Sequence, residues 1–488
     1  MAGKDNAKSR TRHPLSQRLP RHNSSYVRIL FPELYLVQHL PMPSFPLFCE
    51  RELWVGWRDE TFPADHSQYT SLIAMCALSA QHTKHGSLFS DDMNLVELAT
   101  YAELYLSEAA ALLPSDFPDQ LDVELIRSYG FLALLGTQTA NSSMTHKYLG
   151  LYQGMCAKFG LHDESRWDGT LGICEVEMRR RLFWVMYRLE VHSACVMGHM
   201  IRLPEAQSNV GYPVGIHHPA FVPGRDGDFE DWFAGWNATT DLYRILEHAI
   251  VDFRASRNQR TSILYQRGQT SSLAIQESLL KVQEKLSPQF GQVFDKSSDS
   301  GKNRCGFQAT KILFTIHLVR MFSFISAGAE LDAVCQIAAE MIASIRTIPS
   351  EYIRASGVHL LQELAGVGYI LGIIAAKRAT PQQDAPRLHA LLSCIATFLE
   401  DTAAPNSVAT ASALRLRAQI EQVEQRMTQD LDVNDLQDTL HAQQTGEEEG
   451  GRGTVNGLTL FDHSDIDSAD ASFDFWESFL GNFTWPSL

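Results

Sequence analysis

The sequence of 488 residues is short of positive charge, and its cysteines do not cluster. It carries 41 Lys and Arg against 57 Asp and Glu, a formal net charge of −16. So acidic a chain is a poor bulk binder of nucleic acid, because phosphate contacts need Lys and Arg. Its eight cysteines are singles (Cys49, Cys76, Cys156, Cys174, Cys195, Cys305, Cys335, Cys394), and the closest two are 18 residues apart. No CxxC or related zinc spacing occurs, so the expected metal and cofactor content is none. At this density the cysteines read as buried thiols of a reducing compartment. The opening MAGKDNAKSRTRH lacks the apolar region of a secretory signal. The most apolar stretch, residues 364–376, is 13 residues long, too short to cross a bilayer. HExxH, GxSxG and GxxxxGK[ST] are all missing. These absences predict an intracellular, soluble protein that is not an enzyme and has no membrane partner.

What is present is ordinary globular material, 44% apolar and 20% charged, with a strong end-to-end charge asymmetry. Residues 1–28 carry Lys4, Lys8, Arg10, Arg12, Arg18, Arg21 and Arg28 against Asp5 alone. Residues 428–488 carry thirteen acids against Arg452 alone. We read residues 1–25 as a basic disordered tail, 26–429 as one helical body, 430–457 as an acidic flexible linker and 458–488 as a separate acidic-aromatic segment.

Period-3.6 patterning predicts helices over 68–81, 94–113, 121–135, 144–159, 175–196, 231–256, 308–326, 330–348, 357–377 and 388–399. Pro114 and Gly160 are natural stops. In 231–256 the candidate core residues are Trp232, Trp236, Leu242, Ile245 and Ile250. Soft breaks are expected at 204–230 and 287–304. Leu416, Ile420, Val423 and Met427 in 411–429 form a short 4-3-4 seam, an optional dimer contact. No convincing period-two run occurs, so the fold class is all-α.

Several side chains are weighed against a bland reading. Asp91-Asp92 lacks the further carboxylate of an acidic metal box and reads as a helix cap. Gly366, Gly368 and Gly372 lie inside a helical pattern and read as close helix packing, not a phosphate loop. His82, His85, His217 and His218 have no third and fourth zinc ligand at matched spacing, and His317 reads as a hydrogen-bonded core residue.

The richest segment is EVEMRRRLFWVMYRLEVHSACVMGHMIRLPEAQSNVGYPV, residues 175–214. Met178, Leu182, Val185 and Leu189 form an apolar stripe, with Glu175–Arg179 and Glu177–Arg181 at i,i+4. Trp184 lies within cation–π reach of Arg180 and Arg188 on a helix. The segment resembles the signature of the regulatory (middle homology) domain of fungal zinc-cluster transcription factors. The match rests on Glu177, Arg179, Arg180, Arg181, Phe183, Trp184, Tyr187, Leu189, Ser193, Gly198 and Pro213, with Glu190 where the family usually has Asp. His199 and Met200 stand where Arg-Pro is usual. YLGLYQGMCAKFGLHDES, LIAMCALSAQ and LPMPSFPLF resemble the domain's earlier segments in the right order, so the resemblance covers about residues 26–255. It implies an all-helical nuclear regulator of a metabolic or biosynthetic pathway, often dimeric and normally DNA-bound through a zinc cluster. That module needs six cysteines in about 30 residues, yet the first cysteine here is Cys49. The resemblance therefore leaves DNA to be reached through a partner or a missing zinc-cluster module. Zinc is usual in the family, but its ligands are absent from this sequence.

Residues 458–488 hold six acids and seven aromatics with no Lys or Arg. Interleaved carboxylates keep such rings solvated, the acidic-hydrophobic pattern of activation segments. Phe473, Phe475, Trp476, Phe479, Leu480, Phe483 and Trp485 are the candidate residues, and a coactivator groove is the expected partner. The bland reading is a terminal helix packed on the body. The runner-up function is a helical enzyme or small-molecule binding protein, and a pocket with converging polar groups and displaced pKa values would favour it. A small-molecule effector also fits the leading reading.

Overall fold

The computed structural model describes residues 47–48, 55, 59, 63–85, 100–214, 228–257, 272–297, 300–327, 331–377, 385–402, 409–422 and 424–425. Among them are thirteen α-helices and no strand, and one isolated bridge pairs Asp163 with Asn209. The all-α expectation holds. The helices are α1 (His66–Lys84), α2 (Ala102–Leu112), α3 (Val123–Gln138), α4 (Ser142–Phe159), α5 (Ile173–Met197), α6 (Asp228–Arg257), α7 (Ser272–Lys285), α8 (Ser300–Ser326), α9 (Leu331–Arg346), α10 (Ser350–Ser356), α11 (Val358–Lys377), α12 (Ala385–Thr402) and α13 (409–422).

The starts follow from local chemistry. Asp65, Asp122 and Asn141 each accept the backbone N–H three residues on, at 2.9, 3.0 and 2.9 Å. Glu175 turns back to accept Gly172 N at 2.9 Å. Gly160 and Gly198 end α4 and α5 with φ of 72° and 74°, the left-handed region where a Cβ is penalised. Helix α3 packs on α1 and α4, and α8 lies along α6. Helix α5 sits between them and touches α3, α4, α6 and α11.

The structure differs from the sequence reading in four places. Helices α7 and α10 were not expected. Helix α7 buries only Ile275 and Leu279, four residues apart, so its pattern is weak. Helix α8 begins at Ser300, inside the expected break at 287–304. The polar start is accommodated because Asn303 holds both backbone groups of Ser297 at 2.8 Å and accepts the Tyr352 hydroxyl at 3.1 Å. Residues 302–326 are also long and apolar enough by composition to cross a membrane, which the sequence reading had denied to every stretch. Here 72% of the most apolar window is buried inside the protein, as in a core helix. Finally, Leu416 and Ile420 are 0% and 5% exposed, so their face of α13 serves the chain's own core. A Cβ on Gly368 would come 2.8 Å from Leu416 Cδ2, which bears out the close-packing reading of that glycine. Val423 and Met427 lie outside the described residues.

Trp236, Leu242 and Ile250 are buried as expected, Ile245 packs partly against the core, and the Trp232 side chain lies outside the description. Of seven described cysteines, Cys76, Cys156, Cys195 and Cys335 are buried, while Cys174, Cys305 and Cys394 are only partly so.

Candidate functional site

The signature segment folds as α5 followed by a loop that returns along it. Glu177, 1% exposed, accepts Val214 N and Arg180 Nη1, each at 3.0 Å. Arg180 donates a second, bidentate pair to Glu164 at 2.7 and 2.9 Å, and Glu164 also accepts Gly211 N at 2.6 Å. Those donors hold the Glu164 carboxyl below its usual range, whereas burial pushes Glu177 up. Trp184 Nε1 donates to Gly211 O at 2.9 Å, and its ring lies 5.0 Å from that of Tyr212. Tyr187 donates to Glu247 at 2.6 Å, and Glu247 also accepts Glu205 N. Arg244 closes the far side by pairing with Glu205, Asp241 and the Tyr212 hydroxyl. Pro213 O accepts the Asn237 side chain at 3.1 Å. Glu177, Arg180 and Trp184 of the signature, with Glu164, thus fix the end of the loop 204–214 against α5, while Asn237, Asp241, Arg244 and Glu247 hold it to α6.

The loop's start is held the same way. Glu190 accepts Gln153 Nε2 at 2.6 Å, Arg202 N at 2.5 Å and Leu203 N at 3.3 Å. Burial outweighs these donors and pushes its carboxyl up to about 7. Ser193 is buried, and its carbonyl accepts the N–H groups of Gly198 and His199 that end α5. Phe183 and Leu189 are core residues.

Three sequence expectations change. Arg179 donates to the backbone of Glu175, whose carboxylate caps the helix instead. Glu177 takes Arg180 at i+3 as its hydrogen-bonded partner, while Arg181 lies over the Phe233 ring at 4.7 Å. Trp184 faces Arg244 at 5.9 Å, and Arg188 stacks on Trp236 at 4.1 Å. The last two changes arise because α6 supplies partners from far along the chain. Elsewhere, His317 contacts Ser344 Oγ at 3.2 Å, as a hydrogen-bonded core histidine should. Among the described residues no three His, Cys, Asp or Glu side chains are grouped to hold a metal. Asp91, Asp92, His217, His218, residues 1–28 and the seven candidate activation residues of the tail, Phe473 to Trp485, lie outside the described residues.

Sequence reasoning missed a partly open cavity of about 60 Å³ between α5, α6, α8 and α11. Its polar lining includes Arg188, His192, Tyr243, Lys311, His359 and Glu363. His192 Nδ1 lies 3.0 Å from Glu363 Oε1, and its Nε2 lies 3.3 Å from Gln362 Oε1. Tyr243 donates to the same Glu363 oxygen at 3.1 Å. Desolvation pulls Lys311 down to about 7 and Arg188 to about 10, and holds His359 well below its ordinary value. This is a pocket with converging polar groups, but His192 is engaged at both ring nitrogens and has none left for a nucleophile. The signal in sequence was only Arg188 and His192 on a stripe otherwise apolar; Lys311 and Glu363 are too distant in the chain to associate with them.

The fold and signature define a helical domain whose charged motif locks a loop onto its own helices. Residues 56–219 match the fungal specific transcription factor domain. A Saccharomyces cerevisiae protein named for a transcriptional regulatory role is 26% identical over 137 residues, 27% of this chain and 18% of the relative. The Activator of stress genes 1 of the same yeast is 23% identical over 252 residues, 49% of this chain and 25% of the relative. The chain therefore covers a quarter or less of the length of these relatives. No solved structure matches.

Proposed function

We propose that the chain is a nuclear transcriptional regulator of a metabolic or biosynthetic pathway. In this reading the helical body controls an acidic-aromatic activation segment at residues 458–488. The domain match over residues 56–219 carries the proposal. Both yeast relatives are named as transcriptional regulators or activators, which supports the same class over an enzyme. The tail's composition supports an output role, since rings spaced among carboxylates dock into hydrophobic coactivator grooves. DNA is reached through a partner protein or a zinc-cluster module outside this sequence, homo- or heterodimerisation included.

A reporter assay tests both parts. Residues 428–488 and the full chain are each tethered to a foreign DNA-binding domain. The tail alone should activate strongly, and the full chain less so until its effector is present. Loss of the rings in a Phe473→Ala, Trp476→Ala, Phe479→Ala variant should abolish activation. No activation above the bare tether removes the output role.

A further inference from the structure

We infer that the open groove between α6 and α7 is a binding site for an elongated aliphatic carboxylate, anchored by Lys281 and Lys285. The groove has a volume of about 520 Å³, within the roughly 300–1,000 Å³ usual for small-molecule sites. It exists because small residues line both helices there. Ala234 and Ala238 stand one turn apart on α6, and Ser278 lies on α7. Ile245, Val282 and Leu286 add aliphatic surface. Phe290, 2% exposed, lines the groove and packs on Gly235, where a Cβ would lie 2.6 Å from its ring. From Ala234 to His248 the α6 lining runs about 21 Å, at 1.5 Å per residue, so the space is long and suits a chain-like body.

The charge in the groove narrows the ligand further. Lys281 and Lys285 are exposed and one turn apart, and neither makes a hydrogen bond or ion pair with the described residues. The two carboxylates of the lining, Glu205 and Asp241, are already compensated. Arg244 pairs with both, His248 lies 3.3 Å from Glu205, and the Tyr212 hydroxyl donates to Asp241. The His248 and Arg244 contacts hold the Glu205 carboxyl down to about 2. The surplus charge is therefore positive and sits on α7. Two lysines on flexible stems suit a single carboxylate whose position is set by the seating of its apolar chain. A ten-carbon acid needs roughly 350 Å³, taking the volume of a liquid water for each non-hydrogen atom, and fits the space. An occupant would lie against Tyr212 and Arg244, which tie down the loop 204–214. That such a ligand acts as an effector rests on the regulatory reading above; the binding itself does not.

Calorimetry on the full chain at pH 7 tests the site with decanoate, with decanamide as its uncharged counterpart and acetate as the bare head group. Wild type should bind decanoate with a Kd between about 1 µM and 1 mM, the range open to a ligand of this size. Decanamide and acetate should each bind at least tenfold more weakly. The double variant Lys281→Met, Lys285→Met keeps the apolar stems, removes both charges and should weaken decanoate at least tenfold. Lys147→Met, on α4 and outside the groove lining, should leave it unchanged. The decanoate-to-decanamide comparison needs no variant, so it decides the matter even if a variant folds poorly. Absence of decanoate binding, equal binding of decanamide, or unchanged binding in the folded double variant overturns the assignment. None of these readouts involves transcription, so the site and the regulatory reading fail separately.

Discussion

The two halves of α5 use the same residue types for opposite ends. Near its start, Glu177, Arg180 and Trp184 are saturated by Glu164, Gly211 and Val214, and their charge is consumed in holding a loop. Two to three turns further on, Arg188 and His192 turn inward to a cavity, and the guanidinium has a ring behind it and space before it. A charged motif is therefore not in itself a site. What separates the two halves is how many hydrogen-bonded partners the protein supplies, because a buried charge with few of them is costly.

Changes to the core should show the largest effects. Leu416→Asp buries a carboxylate against Gly368 and should cost more than about 4 kcal/mol. Chemical denaturation should show unfolding of the monomer, not a simple change of oligomeric state, because that face is already occupied. Next comes the scaffold half of α5. Arg180→Gln removes the bidentate pair to Glu164 and one donor to Glu177, at about 1–3 kcal/mol. Limited proteolysis should then cut within 204–214 faster than in wild type; an unchanged pattern would deny the loop-locking role.

A pH dependence of no larger size completes the order. The folded pKa of Glu190 is raised to about 7 from 4.5. The folded state then holds its proton over that window while the unfolded state releases it, so stability falls as pH rises from about 4.5 to 7. Glu190→Gln stays neutral throughout. Its stability relative to wild type should increase across the window by about 1–3 kcal/mol, read from melts at several pH values. A flat difference contradicts the desolvated carboxylate.

The fold was largely legible in the sequence where apolar periodicity and caps agree. Gly160 after α4 marked a helix end by local chemistry alone, whereas the Asp122 cap of α3 fell inside the expected helix 121–135. Helix α7 was not legible, since its two buried residues make too thin a stripe. The seam at Leu416 and Ile420 was visible as a pattern, but whether it met a second copy or Gly368 depends on tertiary contact. In the site, the residues of the signature could be named, yet their partners could not. Arg180 meets a carboxylate sixteen residues back, and His192 meets one 171 residues on. Spacing along a helix constrains neighbours on that helix and carries no information about what packs over it.

The most direct test of the division within α5 is a set of melting curves at pH 7 for wild type, Arg180→Gln and Arg188→Met. The account predicts that Arg180→Gln lowers the melting temperature, while Arg188→Met melts no lower than wild type. A melting temperature that falls in Arg188→Met and holds in Arg180→Gln would contradict it.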